Sequence, residues 1–402
     1  MSFEKLGIFD PLLDAIEDLG YKEPTPIQSR SIPLIFAKKD IFATAQTGTG
    51  KSAAFGLPLL QRLRNAHKSE KNHPKALVLA PTRELAMQLA DDFASFAKYM
   101  DINIALLIGG KDLTSQNLKL KERVDIIVAT PGRVMEHTQK GLKLTSVEIF
   151  VVDEADRMLD MGFSKDLLAI AALLPKRHQS LLFSATYSQK VRDLAKLLLT
   201  KPEFVQTAKQ NSTVENIEQV AYLVDADKKA SLLAYIVGSR NYTQVLVFTR
   251  TKASADELAR EIEKDGLKCG IIHGEKTQAA RTKALALFKE RRLRVLVATD
   301  IASRGLDIED LDVVFNYELP LVPEDYVHRV GRTGRAGKSG LAISLLDANE
   351  KSEIRRIEKL IGKKLPKESI KGFEPDPTLR RSDEKEITPK SEHKKRPNTR
   401  RR

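Results

Sequence analysis

The sequence predicts an α/β protein with two parallel-sheet domains in tandem, and three observations point there. Short apolar, β-favouring runs alternate with helix-length amphipathic stretches, this alternation occurs twice, and 402 residues exceed what one hydrophobic core usually fills. In the first half, strands are expected at 41–45, 76–80, 104–108, 125–129, 149–152 and 180–184. A polar stretch follows at 209–216, and further strands are expected at 219–224, 244–248, 269–273, 294–298, 313–316 and 341–345. The domains are therefore placed at 1–208 and 217–366, with 209–216 as a hinge that spans on the order of 15 Å if flexible. Residues 367–402 are expected to be a disordered basic tail. Within it, Lys390, Lys394, Lys395, Arg396, Arg400, Arg401 and Arg402 outweigh Glu392, and Pro389 and Pro397 oppose regular structure.

A formal net charge of +13 favours a polyanionic partner, although a ribosome-associated or membrane-surface protein would share it. The single cysteine, Cys269, excludes an intrachain disulfide and a cysteine-rich zinc site. No apolar run approaches bilayer-spanning length, and the N-terminal segment contains Glu4, Asp10, Asp14, Glu17 and Asp18, unlike a secretory signal. The expectation is a soluble, cytoplasmic protein of a reducing compartment, with no membrane partner.

Two segments carry the chemistry. Ala45-Gln46-Thr47-Gly48-Thr49-Gly50-Lys51-Ser52 lies between an expected strand and a helix-favouring stretch. In that order, backbone N–H groups of Thr47, Gly48, Thr49 and Gly50 can curl around phosphates, Lys51 supplies a point charge, and the Ser52 hydroxyl can ligand Mg²⁺. Downstream, Asp153-Glu154-Ala155-Asp156 closes the apolar run 149–152. Asp153 is the candidate to hold Mg²⁺ through its water shell, and Glu154 to polarise the attacking water. Either segment alone could be an ordinary turn or a solvated acidic loop. Both together, in this order and on strand ends, imply an ATPase that uses ATP and Mg²⁺.

With these segments placed, the chain from Phe3 to Leu365 resembles the DEAD-box RNA helicases, which implies two RecA-like domains in tandem. Gly20-Tyr21-Lys22-Glu23-Pro24-Thr25-Pro26-Ile27-Gln28 resembles the family's Q motif, and the resemblance assigns adenine recognition to Gln28 and Tyr21. Phe3 stands where the family carries an isolated upstream aromatic, a position that core packing explains equally well. Ser184-Ala185-Thr186 resembles the element that links the ATP and RNA sites, with Asp156 and His328 implied in the same coupling. Pro81-Thr82-Arg83-Glu84-Leu85, Gly109-Gly110 and Thr130-Pro131-Gly132-Arg133 resemble RNA-backbone contacts, which makes Arg83, Gly110, Thr130 and Arg133 candidates. Such groups bind phosphate without reading sequence.

In the second half, His328-Arg329-Val330-Gly331-Arg332-Thr333-Gly334-Arg335 resembles the segment that supplies arginine fingers, and Arg332 and Arg335 are expected on one helical face. Ala298-Thr299-Asp300-Ile301-Ala302-Ser303-Arg304-Gly305-Leu306-Asp307 is similar to a further family motif. That resemblance implies Asp307 near the ribose, and Thr299 and Gly305 near RNA backbone. Arg250, Gln278 and Arg281 extend the implied RNA surface.

The family resemblance implies a cycle in which ATP and single-stranded RNA jointly draw the domains together and open short duplexes locally. Segments 273–278, 316–320 and 372–377 are most similar to bacterial RhlE-type members, which suggests ribosome assembly or RNA turnover as the setting. An ATP-gated RNA clamp or scaffold would use the same residues. A translocating DNA helicase is disfavoured by the segment around Gln28 and by Asp156, where DNA-active relatives often carry histidine. The basic tail reads as a nonspecific tether for RNA phosphate, slightly favoured over a solubilising terminus with no partner.

Overall fold

The computed structural model describes residues 2–45, 48–64, 69–207, 217–300, 308, 311–334 and 340–376. They form two compact units, and the strands form two seven-stranded sheets. The first sheet contains β1 (Ile41–Thr44), β2 (Ala76–Leu79), β3 (Ile104–Leu107), β4 (Ile126–Ala129), β5 (Ile149–Val152), β6 (Gln179–Ser184) and β7 (Glu203–Gln206). Their order is β3-β4-β2-β5-β6-β1-β7. The second contains β8 (Ile217–Leu223), β9 (Val245–Thr249), β10 (Cys269–Ile272), β11 (Val295–Thr299), β12 (Val313–Asn316), β13 (Gly340–Leu346) and β14 (Lys367–Glu368), ordered β10-β11-β9-β12-β13-β8-β14. The second order is the first with every strand number raised by seven, so one topology is used twice.

The strand sequences follow from their surroundings. β1, β2, β4 and β5 are buried along their whole length, which is why they read as unbroken apolar runs such as Ile149-Phe150-Val151-Val152. Alternate side chains serve opposite layers. Val78, Ile149 and Val151 join Phe55, Phe93 and Phe183 on one face, while Leu77, Leu79 and Phe150 join Met158 and Leu194 on the other. The covering helices carry the matching period. Gln189–Leu198 is capped by the Ser188 hydroxyl, which accepts from the Val191 N–H at 3.3 Å, and it buries Val191, Leu194, Ala195 and Leu198.

β7 and β14 were not expected from the sequence. Both are edge strands: only Val205 of β7 is buried, and both residues of β14 are exposed, so neither carries an apolar signature. β14 corrects the expected tail. Lys367 and Glu368 pair with Ala221 and Tyr222 of β8, the Phe373 and Tyr235 ring centroids lie 5.5 Å apart, and the Asp376 N–H donates to the Asp225 carboxylate. Ordered structure thus extends through Asp376, because an edge strand needs backbone pairing rather than apolar side chains. The expected hinge 209–216 and tail residues 377–402 lie outside the described residues.

Candidate active site

In a parallel sheet the C-terminal strand ends share one edge. In the first sheet, adjacent β5, β6 and β1 lead into Asp153–Asp156, Ser184–Thr186 and the glycine loop. On the other side, β2, β4 and β3 lead into Thr82-Arg83, Thr130–Arg133 and Gly109-Gly110. The phosphate-loop and acidic candidates therefore occupy one half of the edge, the RNA candidates the other, and the halves meet where β5 pairs with β2.

Gly48 and Gly50 take positive φ of 77° and 88°, the region that glycine enters without steric cost. Gly50 also admits a neighbour: a Cβ there would lie 2.3 Å from Gln28 Nε2. That amide donates to the Gly50 carbonyl at 3.1 Å, and Gln28 Oε1 accepts from the Thr25 N–H at 2.8 Å. Gln28 is thereby fixed against the loop, and among the described residues one of its donor hydrogens and one acceptor lone pair are unspent. Tyr21 is 39% exposed and packs between Phe3 and Phe96, at centroid distances of 6.4 and 6.3 Å. Phe3 itself is buried, so core packing accounts for it. Lys51 and Ser52 open the helix Lys51–Arg64, and the buried Lys51 ammonium donates to the Ala45 carbonyl at 3.2 Å. Thr49 precedes that helix, and Thr47 lies outside the described residues.

The acidic turn is buried throughout. The Asp153 carboxyl is pushed up to about 6, chiefly by burial, with the Glu154 and Asp156 carboxylates adding to the rise and Lys51 and the Glu154 N–H opposing it. Its Oδ1 accepts from the Glu154 N–H at 2.9 Å. Glu154 stands at φ 52°, ψ 53°, a left-handed conformation in a residue with a Cβ, and caps the helix Ala155–Asp160. The buried Arg157 donates to its Oε2 at 3.2 Å, a partner that sequence reasoning missed although it lies three residues on. Asp156 Oδ2 accepts from the Thr186 N–H at 2.9 Å, and the fully buried Ser184 Oγ accepts from the same N–H at 3.2 Å. The implied coupling residues of the first domain are therefore in contact.

The RNA candidates of the first sheet fall into two contacting pairs, Arg83 with Gly110 and Thr130 with Arg133. Gly110 has φ 78°, and a Cβ there would lie 2.2 Å from Arg83 Nη1, so the Arg83 guanidinium rests against the glycine turn. Gln116, also missed, holds that turn by accepting from the Ile108 N–H at 3.0 Å and donating to the Ile108 carbonyl at 3.2 Å. Thr130 caps the helix Pro131–Thr138, and its carbonyl accepts from the Arg133 N–H at 3.1 Å. Arg133 is largely buried and pairs with Glu136.

In the second sheet, Thr299 ends β11, and Gln278 and Arg281 stand on the first turn of the helix Gln278–Lys289. Arg250 follows β9 and is bound to Glu350, Glu318 and the Leu319 carbonyl. The expected helical face for the fingers is corrected. The helix Pro323–Val330 ends at Val330 with Gly331 as its cap, and Thr333 forms a bridge with Leu311. Arg332 thus sits on a turn, buried, while the half-buried His328 is on the helix. The helix stops there because Thr333 is drawn into that bridge, its hydroxyl donating to the Leu311 carbonyl. Arg335, Gly305 and Asp307 lie outside the described residues.

A glycine phosphate loop, a buried acidic turn and a repeated parallel sheet define a two-domain P-loop ATPase. Residues 25–194 match the DEAD/DEAH box helicase family, and residues 227–337 match the helicase conserved C-terminal domain. The chain is 42% identical over 365 residues to the DEAD-box ATP-dependent RNA helicase CshA of Bacillus cereus, covering 90% of this chain and 69% of that protein. It is 41% identical over 366 residues to CshA of Bacillus subtilis, covering 91% and 73%. Its fold is similar to S. cerevisiae Dbp5 bound to RNA and ADP BeF3, with a TM-score of 0.82, 32% identity and coverage of 92% and 95%. It is also similar to Mss116p bound to ssRNA and AMP-PNP, with a TM-score of 0.81, 30% identity and coverage of 95% and 80%. The chain belongs to the DEAD-box ATP-dependent RNA helicases, a family of RNA-stimulated ATPases with two RecA-like domains.

Proposed function

We propose that this helicase opens short RNA duplexes locally, and that Asp156 couples its nucleotide and RNA sites. The carrying observation is the 2.9 Å hydrogen bond from the Thr186 N–H to Asp156, which ties the turn after β5 to the segment after β6. A change in charge or position at the acidic turn is felt directly by that segment. In this reading Thr47, Gly48, Thr49, Gly50 and Lys51 hold the phosphates, Gln28 and Tyr21 read adenine, Asp307 meets the ribose, and Glu154 orients water. Arg332 and Arg335 stabilise charge on the transferred phosphoryl group. Arg83, Gly110, Thr130, Arg133, Arg250, Gln278, Arg281, Thr299 and Gly305 contact RNA backbone, with Ser184, Thr186 and His328 in the coupling.

Ser52 and Asp153 are the residues proposed to hold Mg²⁺. Burial and two neighbouring carboxylates disfavour charge on Asp153, a setting that a cation relieves. Mg²⁺ commonly keeps several waters and binds through one or two protein ligands plus substrate phosphates, which fits a site of Ser52 and Asp153. When bound, Mg²⁺ supplies charge neutralisation to the β- and γ-phosphates.

The proposed domain boundaries are 1–208 and 217–376, joined by 209–216, with a basic tail that tethers RNA. The RhlE-type assignment is proposed from segments 273–278, 316–320 and 372–377, a setting in ribosome assembly or RNA turnover from the family analogy, and a cytoplasmic location from composition. No helix among the described residues is long and apolar enough to cross a membrane. The test is strand separation of short RNA duplexes of increasing length with ATP. Local opening predicts rates that fall steeply with duplex length. Long-lived ATP-dependent RNA binding without separation would instead assign the clamp function.

A further inference from the structure

Arg250 is held at three points. Its backbone N–H donates to Glu318 Oε2 at 2.7 Å, its Nε donates to the Leu319 carbonyl, and its Nη2 donates to Glu350 Oε1 at 2.7 Å. Among the described residues Nη1 makes no hydrogen bond, and the side chain stays 27% exposed. One edge of the guanidinium is fixed while the rest remains reachable.

The group that fixes it is itself anchored. Glu350 is buried, and its Oε1 also accepts from the Leu319 N–H at 2.7 Å. Its Oε2 accepts from Lys229 Nζ at 2.6 Å and from the Asp347 N–H at 3.4 Å. Lys229, buried as well, pairs with Asp347 at 2.7 Å and donates to the Tyr317 carbonyl at 3.2 Å. Lys229 thus lies between the Glu350 and Asp347 carboxylates, Arg250 has Glu350 on one edge with Glu353 within electrostatic range, and Glu350 has donors on both oxygens. A buried ionic cluster of this kind adds little stability over apolar packing, whereas losing one partner strands the others. Its strength is directional. A guanidinium clamped along one edge loses little further freedom when another edge meets a phosphate.

We propose that Glu350 is a positioning residue for Arg250: anchored by Lys229 and Asp347, it aims the remaining guanidinium edge at an RNA phosphate. This rests on the reading of Arg250 as an RNA contact.

The test compares wild type with Arg250→Ala, Glu350→Gln and the double variant. Binding of a labelled single-stranded RNA is measured with a non-hydrolysable ATP analogue, and ATPase is titrated with the same RNA. Removing one charge-assisted phosphate contact weakens binding roughly tenfold, which is the expectation for Arg250→Ala. Glu350→Gln is expected to raise the RNA concentration for half-maximal ATPase roughly three- to tenfold with little change in maximal rate. The double variant is expected to bind no more weakly than Arg250→Ala alone. Glu350→Asp withdraws the carboxylate by one methylene but keeps its charge, and carries the same expectation should the glutamine variant fail to fold. If Glu350 variants bind RNA like wild type while Arg250→Ala is weakened, positioning is refuted and the Arg250 contact stands. If Arg250→Ala binds like wild type, the contact reading itself falls. Losses that add in the double variant would assign Glu350 to stability alone and overturn the proposal.

Discussion

Glu154 is held in a backbone conformation that few glutamates adopt. A residue with a Cβ in the left-handed region costs about 1 to 3 kcal/mol, and such strain clusters at functional turns. Here the turn keeps Asp153 at the end of β5 while Asp156 reaches the Thr186 N–H. Glu154→Gln preserves shape and removes the proton acceptor, so kcat should fall about a hundredfold or more with ATP and RNA binding retained. Near-normal turnover in a steady-state assay would remove Glu154 from the water-orienting role. At Gly50 both the positive φ and the close approach of the Gln28 amide oppose a side chain. Gly50→Ala is therefore expected to weaken ATP binding at least about tenfold, because loop and amide must both shift. Calorimetric titration giving a wild-type affinity would contradict that geometry. The placement of the glycine loop and the acidic turn at strand ends was legible from motif order, since phosphate chemistry favours glycines, a lysine and paired acids there. Arg157 and Gln116 were not, because a buried ion pair and a clamp on a turn leave no periodic trace.

Central strands announced themselves and edge strands did not. β5 is buried on both faces and reads as four apolar residues, whereas β14 is Lys367-Glu368, held by backbone pairing to β8. The same gap occurred at β7, so the sequence reading recovered six strands of each seven-stranded sheet and missed the equivalent edge strand in both. The finger segment erred for a different reason: spacing of three residues fits a helix, but the chain leaves the helix at Val330 and pairs Thr333 with Leu311. Residues 367–376 now belong to the second sheet's unit, with Phe373 against Tyr235. Phe373→Ala should lower that unit's unfolding free energy by about 1 to 2 kcal/mol, the value of a partly buried aromatic contact. Urea denaturation with an unchanged midpoint would return this segment to the tail.

One topology used twice gives the chain two parallel sheets, but the two copies carry different chemistry. The first sheet's edge bears the glycine loop, the acidic turn and the Arg83–Gly110 contact; the second bears Arg250, Thr299 and Arg332. Neither copy alone holds every group that the proposed hydrolysis uses, so turnover should depend on ligands that engage both. Asp156 is the link visible within the first sheet, joining the acidic turn to Ser184 and Thr186. ATP turnover by this chain should therefore depend on RNA. Steady-state ATPase of the full chain is measured alone, with single-stranded RNA, and with DNA of the same sequence. Strong stimulation by RNA and little by DNA is the predicted result. Full-rate hydrolysis without any polynucleotide, unchanged when RNA is added, would contradict it.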